Sequence, residues 1–209
     1  MGLAPVARRL GAEGCRTFFV AGLDEGLALR AVLGPGVAIH VLDGVLDEEE
    51  AEACLAGELT PVLNSLSMVD LWADAGLGAP ATLHIDSGMR RLGVATEDLA
   101  PLQEPGFPLA LIMSHLACAS DPEHPMNGAQ VRAFVEAVAR LPEAPLSLAA
   151  SAGTFLGAAF RFDLVRGGIA LYGGAPFDAA VVPLAPVATL EAPILSVFDV
   201  GPGDTVGYG

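Results

Sequence analysis

The chain has 209 residues, 53% of them hydrophobic, which is too apolar for a disordered chain and enough to bury the core of one folded domain. Ten basic residues against 25 acidic residues give a net charge of −15, and this acidity disfavours binding to the phosphate backbone of a nucleic acid. All ten basic residues are arginines, so the sequence excludes every mechanism that needs a lysine of this polypeptide.

Short apolar runs alternate with helical patterns from Thr17 to Val165. Apolar residues on successive positions are typical of strands that are covered on both faces of a parallel sheet. The predicted strands are Thr17–Ala21, Val37–Leu42, Thr60–Asn64, Ala81–Ile85, Leu109–Leu116, Leu146–Ala150 and Phe162–Val165. Cap residues, acidic first turns and apolar stripes predict the helices between them. These helices are Asp24–Leu33, Asp47–Ala56, Ser67–Ala75, Thr96–Gln103 and Asn127–Leu141.

The alternation of strands and helices indicates right-handed crossovers in a parallel sheet, which places the fold in the α/β class. Seven strands with one helix before the first predict a (β/α)8 barrel of the TIM type that lacks its first strand. We expect this incomplete barrel over residues 1–174. Residues 175–209 are expected to form a linker and the first strands of a β-rich domain, with antiparallel strands over Val187–Val200 and Thr205–Tyr208.

Two arginines, Arg91 and Arg166, lie at or just beyond the ends of predicted strands, where β/α barrels carry their active sites. Burying an arginine is costly unless its charge is paired, so each predicts an anionic ligand or a carboxylate partner. For Arg166 the nearby carboxylate is that of Asp163, but residues three apart on a strand face opposite sides. A salt bridge at the rim of the barrel is the alternative that stays open for both arginines.

Small residues after the last two predicted strands can bring a ligand close to the backbone. Ser151 is followed by Ala152 and Gly153, and Arg166 by Gly167, Gly168 and Ile169. A hydroxyl and backbone N–H groups in such loops can bind a phosphate group, which barrels often hold after strands seven and eight. The same glycines fit ordinary turns equally well.

Metal-ligating residue types recur after the predicted strands. A run with spacings compatible with zinc consists of His115, Cys118, Asp121 and His124. Prolines inside this run favour a rigid loop, and no second cluster of ligands is evident. A metal-dependent barrel hydrolase remains a separate hypothesis. Its active residues would be His84, Asp86, His115 and His124.

Cysteine usage and the distribution of apolar residues indicate where the protein works. The three cysteines, Cys15, Cys54 and Cys118, are odd in number and far apart, which favours buried thiols in a reducing cytoplasm over a disulfide framework. No apolar run is long enough to predict a membrane span, and no secretory signal is recognisable. We therefore expect a cytoplasmic protein without a membrane or nucleic-acid partner.

Five segments, in order, resemble those of bacterial alanine racemases. They are Phe18–Arg30 (FFVAGLDEGLALR), Leu83–Val94 (LHIDSGMRRLGV), His115–Gln130 (HLACASDPEHPMNGAQ), Leu148–Leu156 (LAASAGTFL) and Phe162–Gly173 (FDLVRGGIALYG). This resemblance implies a barrel that binds pyridoxal 5'-phosphate, a following β-rich domain and a head-to-tail homodimer. The implied reaction interconverts L- and D-alanine as an isomerase and supplies D-alanine for cell-wall peptidoglycan.

The resemblance also assigns roles to residues of the predicted barrel mouth. In the family a lysine holds the cofactor as a Schiff base, and a tyrosine of the partner subunit acts on the opposite face. The matched cofactor residues are Arg166 at the pyridine nitrogen, Arg91 at the phenolic oxygen and the substrate carboxylate, His115 beside Arg166, and Ser151, Gly168 and Ile169 at the phosphate. Because arginine keeps its proton, the pyridine ring is expected to stay unprotonated.

The sequence departs from the family pattern at several positions. His84 stands where many members have a lysine, Ala150 replaces an asparagine, and Gly167 replaces a larger residue. The motif with the family's lysine would precede Met1, and Tyr208 is not the catalytic tyrosine. We therefore expect a fragment truncated at both ends and inactive alone, with noncatalytic binding of pyridoxal phosphate or phosphate, or an interaction module, as the alternative.

Overall fold

The computed structural model describes residues 2–174, 177 and 184–207. In these residues seven short strands alternate with helices. The strands are β1 (Thr17–Val20), β2 (Ala38–Val41), β3 (Thr60–Leu63), β4 (Ala81–Asp86), β5 (Val94–Ala95), β6 (Leu109–Met113) and β7 (Leu146–Ser147). The α helices are α1 (Leu3–Ala12), α2 (Leu23–Leu33), α3 (Glu48–Ala56), α4 (Leu66–Ala75), α5 (Pro125–Val138) and α6 (Ala158–Arg161).

The strands form one parallel sheet in the order β1-β2-β3-β4-β6-β7, with β5 paired to the end of β4. A single parallel bridge between Ala150 and Arg166 continues the sheet beyond β7. The guanidinium carbon of Arg166 lies 5.9 Å from the centre of the Phe19 ring on β1. The two outer ends of the sheet therefore face each other across an interior, which confirms the expected α/β barrel class.

Alternating side chains divide the core into two parts. The larger part, between the sheet and the helices, contains the fully buried Trp72 and Phe134. A smaller inner cluster joins Val62, Leu111 and Met113. Because Leu63 and Leu83 belong to the larger part, the strand positions next to them face the barrel interior. The polar residues on these inner positions are Asn64, Thr82 and His84.

Capping explains where several helices begin. The Asp47 carboxylate accepts a hydrogen bond from the Glu50 N–H at the start of α3, and the Ser65 hydroxyl accepts one from the Met68 N–H at the start of α4. Helix α5 begins two residues before the predicted Asn127, since Pro125 fits the first turn of a helix.

Two local predictions were wrong. The helix predicted over Thr96–Gln103 is a pair of 3-10 helices, Thr96–Asp98 and Ala100–Gln103, the second with a proline in its first turn. The strand predicted over Phe162–Val165 does not form, because the N–H groups of Asp163 and Leu164 both donate to the Leu146 carbonyl oxygen. A strand ladder requires N–H groups that alternate in direction.

Residues 184–207 have no regular secondary structure, so the strand predicted over Val187–Val200 was wrong. The large apolar side chains there, such as Leu190 and Leu195, are almost fully exposed. Strands of this length need a paired neighbour and a covered face, and the described residues provide neither. Thr205–Val206 also forms no strand, and Tyr208 lies outside the described residues. No helix in the described part of the chain is long and apolar enough to cross a membrane.

Candidate functional site

The carboxyl ends of the strands bring Arg166 into a ring of neutral acceptors. Its Nη1 donates to the carbonyl and hydroxyl oxygens of Ser147 at 3.0 and 2.6 Å, and its Nη2 donates to the Ser114 carbonyl at 2.6 Å. Asp163 is not a partner, because its carboxylate accepts from the Leu146 N–H at 2.8 Å. Among the described residues the single ion pair is Arg9–Glu13, on the surface.

Arg166 is therefore a largely buried cation with no carboxylate beside it. Burial lowers the pKa of its guanidinium to about 10, which still leaves the group charged at neutral pH. Charged groups in such surroundings are costly unless their charge is compensated. Of the alternatives left open by the sequence, the geometry favours an anionic or acceptor ligand over a rim salt bridge for this arginine.

His115 contacts Arg166 through its ring. Nδ1 of His115 lies 3.4 Å from Nη2 of Arg166, and since a guanidinium only donates, this nitrogen is the acceptor. Burial, followed by the charges of Arg166 and Arg91, lowers the pKa of His115 to about 4. The imidazole is thus neutral at pH 7 and carries its proton on Nε2.

His84 has the opposite tautomer. The amide of Asn64 donates through Nδ2 to the carbonyls of Leu42 and Val62, at 2.8 and 3.1 Å. Its Oδ1 must therefore accept from Nδ1 of His84, 2.7 Å away, which leaves the Nε2 lone pair of His84 free. Burial and the Arg166 charge lower the pKa of His84 to about 4, so this nitrogen is an acceptor at neutral pH.

One inner residue that sequence reasoning missed is His40. Its ring stacks on Phe19 at 4.7 Å between centroids, and its Nδ1 lies 2.8 Å from the Thr82 hydroxyl. Burial, with the charge of Arg166, lowers the pKa of His40 to about 4. Ser147 was missed as well, although the alternation of residues along each strand could have assigned both to the interior.

Ser151 and the 168–170 loop form the second part of the site. The Ser151 hydroxyl oxygen, on a buried side chain, accepts the N–H groups of Gly168 and Ala170 at 2.9 and 3.2 Å. In both of these hydrogen bonds the hydroxyl is the acceptor, and among the described residues it donates its own proton to none. Because its oxygen already accepts these two N–H groups, the Ser151 hydroxyl is held in place with its proton able to turn towards a ligand oxygen such as that of a phosphate.

Two predicted site residues lie at the edge of this arrangement. Arg91 is exposed in the loop after β4, and Ile169 is 65% exposed. The charge of Arg91 is still near enough to lower the pKa of His115. The structure thus groups His115, Ser151, Arg166 and Gly168 at the barrel mouth, with Arg91 and Ile169 at its solvent side.

A cavity of about 180 Å³ opens beside these residues. It is smaller than the roughly 300–1,000 Å³ of pockets that enclose a whole small ligand. The residues that line it are His115, Leu116, Ala117, Ala119, Ser120, Ala150, Ala152 and Gly153. The cavity lies between the segments that follow β6 and β7, next to Ser151.

The side chains proposed as zinc ligands have other partners. His124 accepts the Met126 N–H through Nδ1 at the start of α5, and Asp121 accepts the Glu123 N–H. Within the described residues no group of three or more histidine, cysteine and acidic side chains could hold a metal ion. The geometry therefore gives no support to the metal-dependent hydrolase.

The structure is a β/α barrel with a largely buried cation at its mouth. Residues 1–176 match the family model described as alanine racemase, N-terminal domain. The chain belongs to the alanine racemase family. It is 43% identical to a catabolic alanine racemase of Mesorhizobium japonicum and 44% identical to an alanine racemase of Ruegeria sp.. These alignments cover 100% and 98% of this chain, but 57% and 58% of the relatives.

Solved structures show the same fold. Alanine racemase from Bartonella henselae with covalently bound pyridoxal phosphate aligns over 89% of this chain and 56% of its own, with a TM-score of 0.84 and 38% identity. Biosynthetic alanine racemase from Pseudomonas aeruginosa aligns over 88% and 54%, with a TM-score of 0.80 and 31% identity. The chain thus spans somewhat more than half the length of these relatives.

Proposed function

We propose that this chain is the cofactor-binding barrel of an alanine racemase and that it binds pyridoxal 5'-phosphate at the mouth described above. The proposal is supported by Arg166, a largely buried guanidinium that pairs with no carboxylate of the described residues, and by the Ser151 hydroxyl, which donates its proton to none of the described side chains or backbone groups. A coenzyme with a phosphate group and an acceptor nitrogen satisfies both.

The residues present fit this group without a covalent bond. Arg166 would hold the pyridine nitrogen, and Ser151 with the backbone of Gly168 and Ile169 would hold the phosphate. The chain has no lysine, so none of its side chains offers the amine that forms a Schiff base in the family. Binding by the residues described is therefore noncovalent.

Bound pyridoxal phosphate supplies an electron sink for chemistry at the α-carbon of an amino acid. The residues of this chain set its surroundings. Arg166 donates hydrogen bonds and keeps its protons at neutral pH, because even its lowered pKa of about 10 is well above 7. His115 and His84 are neutral, so they add no positive charge to that of Arg166 and, at the solvent side, Arg91.

We further propose that this chain alone does not racemise alanine, because the family's proton-transferring lysine has no counterpart in it. Loss of one acid–base group typically costs about 10²–10⁴-fold in rate. The names of the relatives include both catabolic and biosynthetic enzymes. Supply of D-alanine for the cell wall, in the cytoplasm and through the family's homodimer, is our proposal for the complete enzyme.

The proposed domain division rests on the same resemblance. We assign residues 1–174 to the barrel and residues 175–209 to a linker that leads into a β-rich domain. The exposed apolar side chains of residues 184–207 support this assignment, because they are suited to pack against further protein surface.

Fluorescence titration with pyridoxal phosphate tests the binding site. Ser151→Ala removes the hydroxyl next to the 168–170 loop, and we expect it to weaken binding about tenfold. Ser65→Ala is the matched control, since it removes a capping hydroxyl after another strand and should leave the affinity unchanged. Equal affinities for wild type and Ser151→Ala would contradict the assignment of this loop.

A noncatalytic phosphate-binding module is the second candidate, and the absence of lysine favours it. Inorganic phosphate that binds as tightly as pyridoxal phosphate would support this candidate, because Arg166 would then add nothing for the ring. D-alanine formed from L-alanine by the purified chain, in a coupled assay, would contradict both the second candidate and our proposal of inactivity.

A further inference from the structure

Three segments of the barrel mouth meet at one buried side chain, that of Gln130 on α5. It is 1% exposed and lies among the largest fully buried side chains of the described residues. The segments are the loop after β4, which contains Ser87, the segment 114–117 after β6, and α5 itself. A buried amide must find hydrogen-bond partners for its oxygen and its nitrogen.

The contacts fix the orientation of the Gln130 amide. The N–H of Ala117 donates to Oε1 at 2.8 Å, and a backbone N–H cannot accept. Nε2 therefore points to the carbonyl oxygen of His115 at 2.9 Å and to the hydroxyl of Ser87 at 3.3 Å. The amide thus binds the backbone on both sides of Leu116, at the carbonyl of His115 and at the N–H of Ala117.

The same contacts continue to Arg166. The hydroxyl oxygens of Ser87 and Ser114 are 2.7 Å apart, and the carbonyl of Ser114 accepts from Arg166 at 2.6 Å. The φ of Gly88 in the same loop is +136°, a backbone conformation that residues with a side chain rarely adopt. One amide on a helix therefore restrains the acceptor of Arg166 and the backbone of His115.

We propose that Gln130 is a positioning residue for the coenzyme site. Gln130 holds the His115 ring against Arg166 and fixes the Ser114 carbonyl that binds the guanidinium. This inference rests on the proposed function, because it says that Gln130 affects the affinity for the coenzyme without touching the coenzyme. A residue that merely fills the core would contribute to stability alone and leave the geometry of His115 unchanged.

The test compares three variants. Gln130→Met keeps the length of the side chain and removes all three hydrogen bonds. Ser87→Ala removes the hydroxyl that lies between Gln130 and Ser114, and it replaces Gln130→Met in the test if the methionine variant does not fold. Val138→Ala is the control, because it weakens the packing of α5 two turns away and has no hydrogen bond to the mouth.

Two measurements are made on each folded variant, the affinity for pyridoxal phosphate by fluorescence and the ¹⁵N signals of the His115 ring by NMR. We expect Gln130→Met to weaken binding about tenfold or more and to raise the pKa of His115 above its low value of about 4. Ser87→Ala should shift both in the same direction by less, and Val138→Ala should leave both unchanged.

Wild-type affinity and an unchanged His115 signal in Gln130→Met and Ser87→Ala would overturn the inference, as would equal losses in Val138→Ala. The two proposals fail separately. Should the wild-type chain not bind pyridoxal phosphate, the proposed function fails, whereas the NMR signal of His115 still decides whether Gln130 positions that ring.

Discussion

At the scale of single residues, Arg166 is the charge that acts on all three buried histidines of the barrel. Its charge contributes to the lowered pKa of His40, His84 and His115, although burial is the larger cause for each. With these three imidazoles neutral, Arg166 is the largely buried positive charge at the mouth among the described residues. Such an arrangement is typical of a ligand site rather than of a structural ion pair.

The buried histidines predict a loss of stability in acid. The pKa of His40 and of His84 is about 4 in the folded chain against about 6.5 in an unfolded one. Between these values the unfolded state binds more protons, so stability falls as the pH drops from about 6.5 to about 4 and levels off below. Each histidine contributes about 3 kcal/mol to this loss.

Urea unfolding at several pH values measures this effect. The contribution of the two histidines to the free energy of unfolding should be nearly constant above pH 7 and should decline below pH 7. His84→Gln keeps a partner for Asn64 and removes one titrating group, so its decline should be shallower than that of the wild type. Parallel pH curves for the two proteins would show that His84 does not titrate in this way.

Residue-scale features differed in how far the sequence could predict them. His115 and Ser151 were singled out because polar residues at strand ends are candidates for a barrel's site, whereas Arg166 was placed at the end of a predicted strand that does not form. Alternation along β2 could have assigned His40 to the interior, but its stacking on Phe19 and the contacts of Gln130 with two loops are tertiary. No local pattern in the sequence reports such contacts.

At the scale of elements, the β4–β5 connection depends on Gly93. Its φ is +111°, and a Cβ there would lie 2.6 Å from the backbone nitrogen of Asp86. Its N–H donates to the carbonyl of Asn64 at 3.2 Å, which joins the loop with Arg91 to the end of β3. A side chain at this position would separate the loop from β4.

Gly93→Ala is therefore expected to destabilise the protein by about 3 kcal/mol, through the clash and the strained backbone. Gly78→Ala is the matched control, since φ there is +75° and no atom lies within 4 Å of the added Cβ. It should cost only the backbone strain, about 1 kcal/mol. Equal unfolding free energies for the two variants in urea would contradict the role of the close contact at Gly93.

Most elements were predictable because their apolar periodicity is local. The strands β1 to β3, β6 and β7 fall within the predicted runs, β4 extends one residue beyond its run, and helices α2 to α5 overlap the predicted helices. The failures have two causes, one local and one tertiary. The two residues of β5 are too few for a pattern, and the apolar run Val187–Val200 has the composition of a strand but no neighbour to pair with among the described residues.

At the scale of the whole molecule, the net charge of −15 predicts a dependence of stability on salt. Self-repulsion of a strongly charged chain destabilises its compact state, and salt screens that repulsion. Raising the ionic strength from about 0.01 M to about 0.15 M shortens the screening length from about 30 Å to about 8 Å.

We expect the urea midpoint at neutral pH to rise with sodium chloride over this range. The surface pair Arg9–Glu13 acts in the opposite direction, but exposed pairs of this kind contribute little. A midpoint that falls as salt is added would mean that attractive charge pairs, rather than the acidic excess, dominate the electrostatics of the fold.

The central claim is that the mouth of this lysine-free barrel binds pyridoxal phosphate through Arg166. Calorimetric titration of the wild-type chain and of Arg166→Met tests it most directly. We predict saturable binding of about one coenzyme per chain in the wild type and an affinity at least about tenfold lower in Arg166→Met. No binding to the folded wild type, or equal binding to both proteins, would contradict the claim.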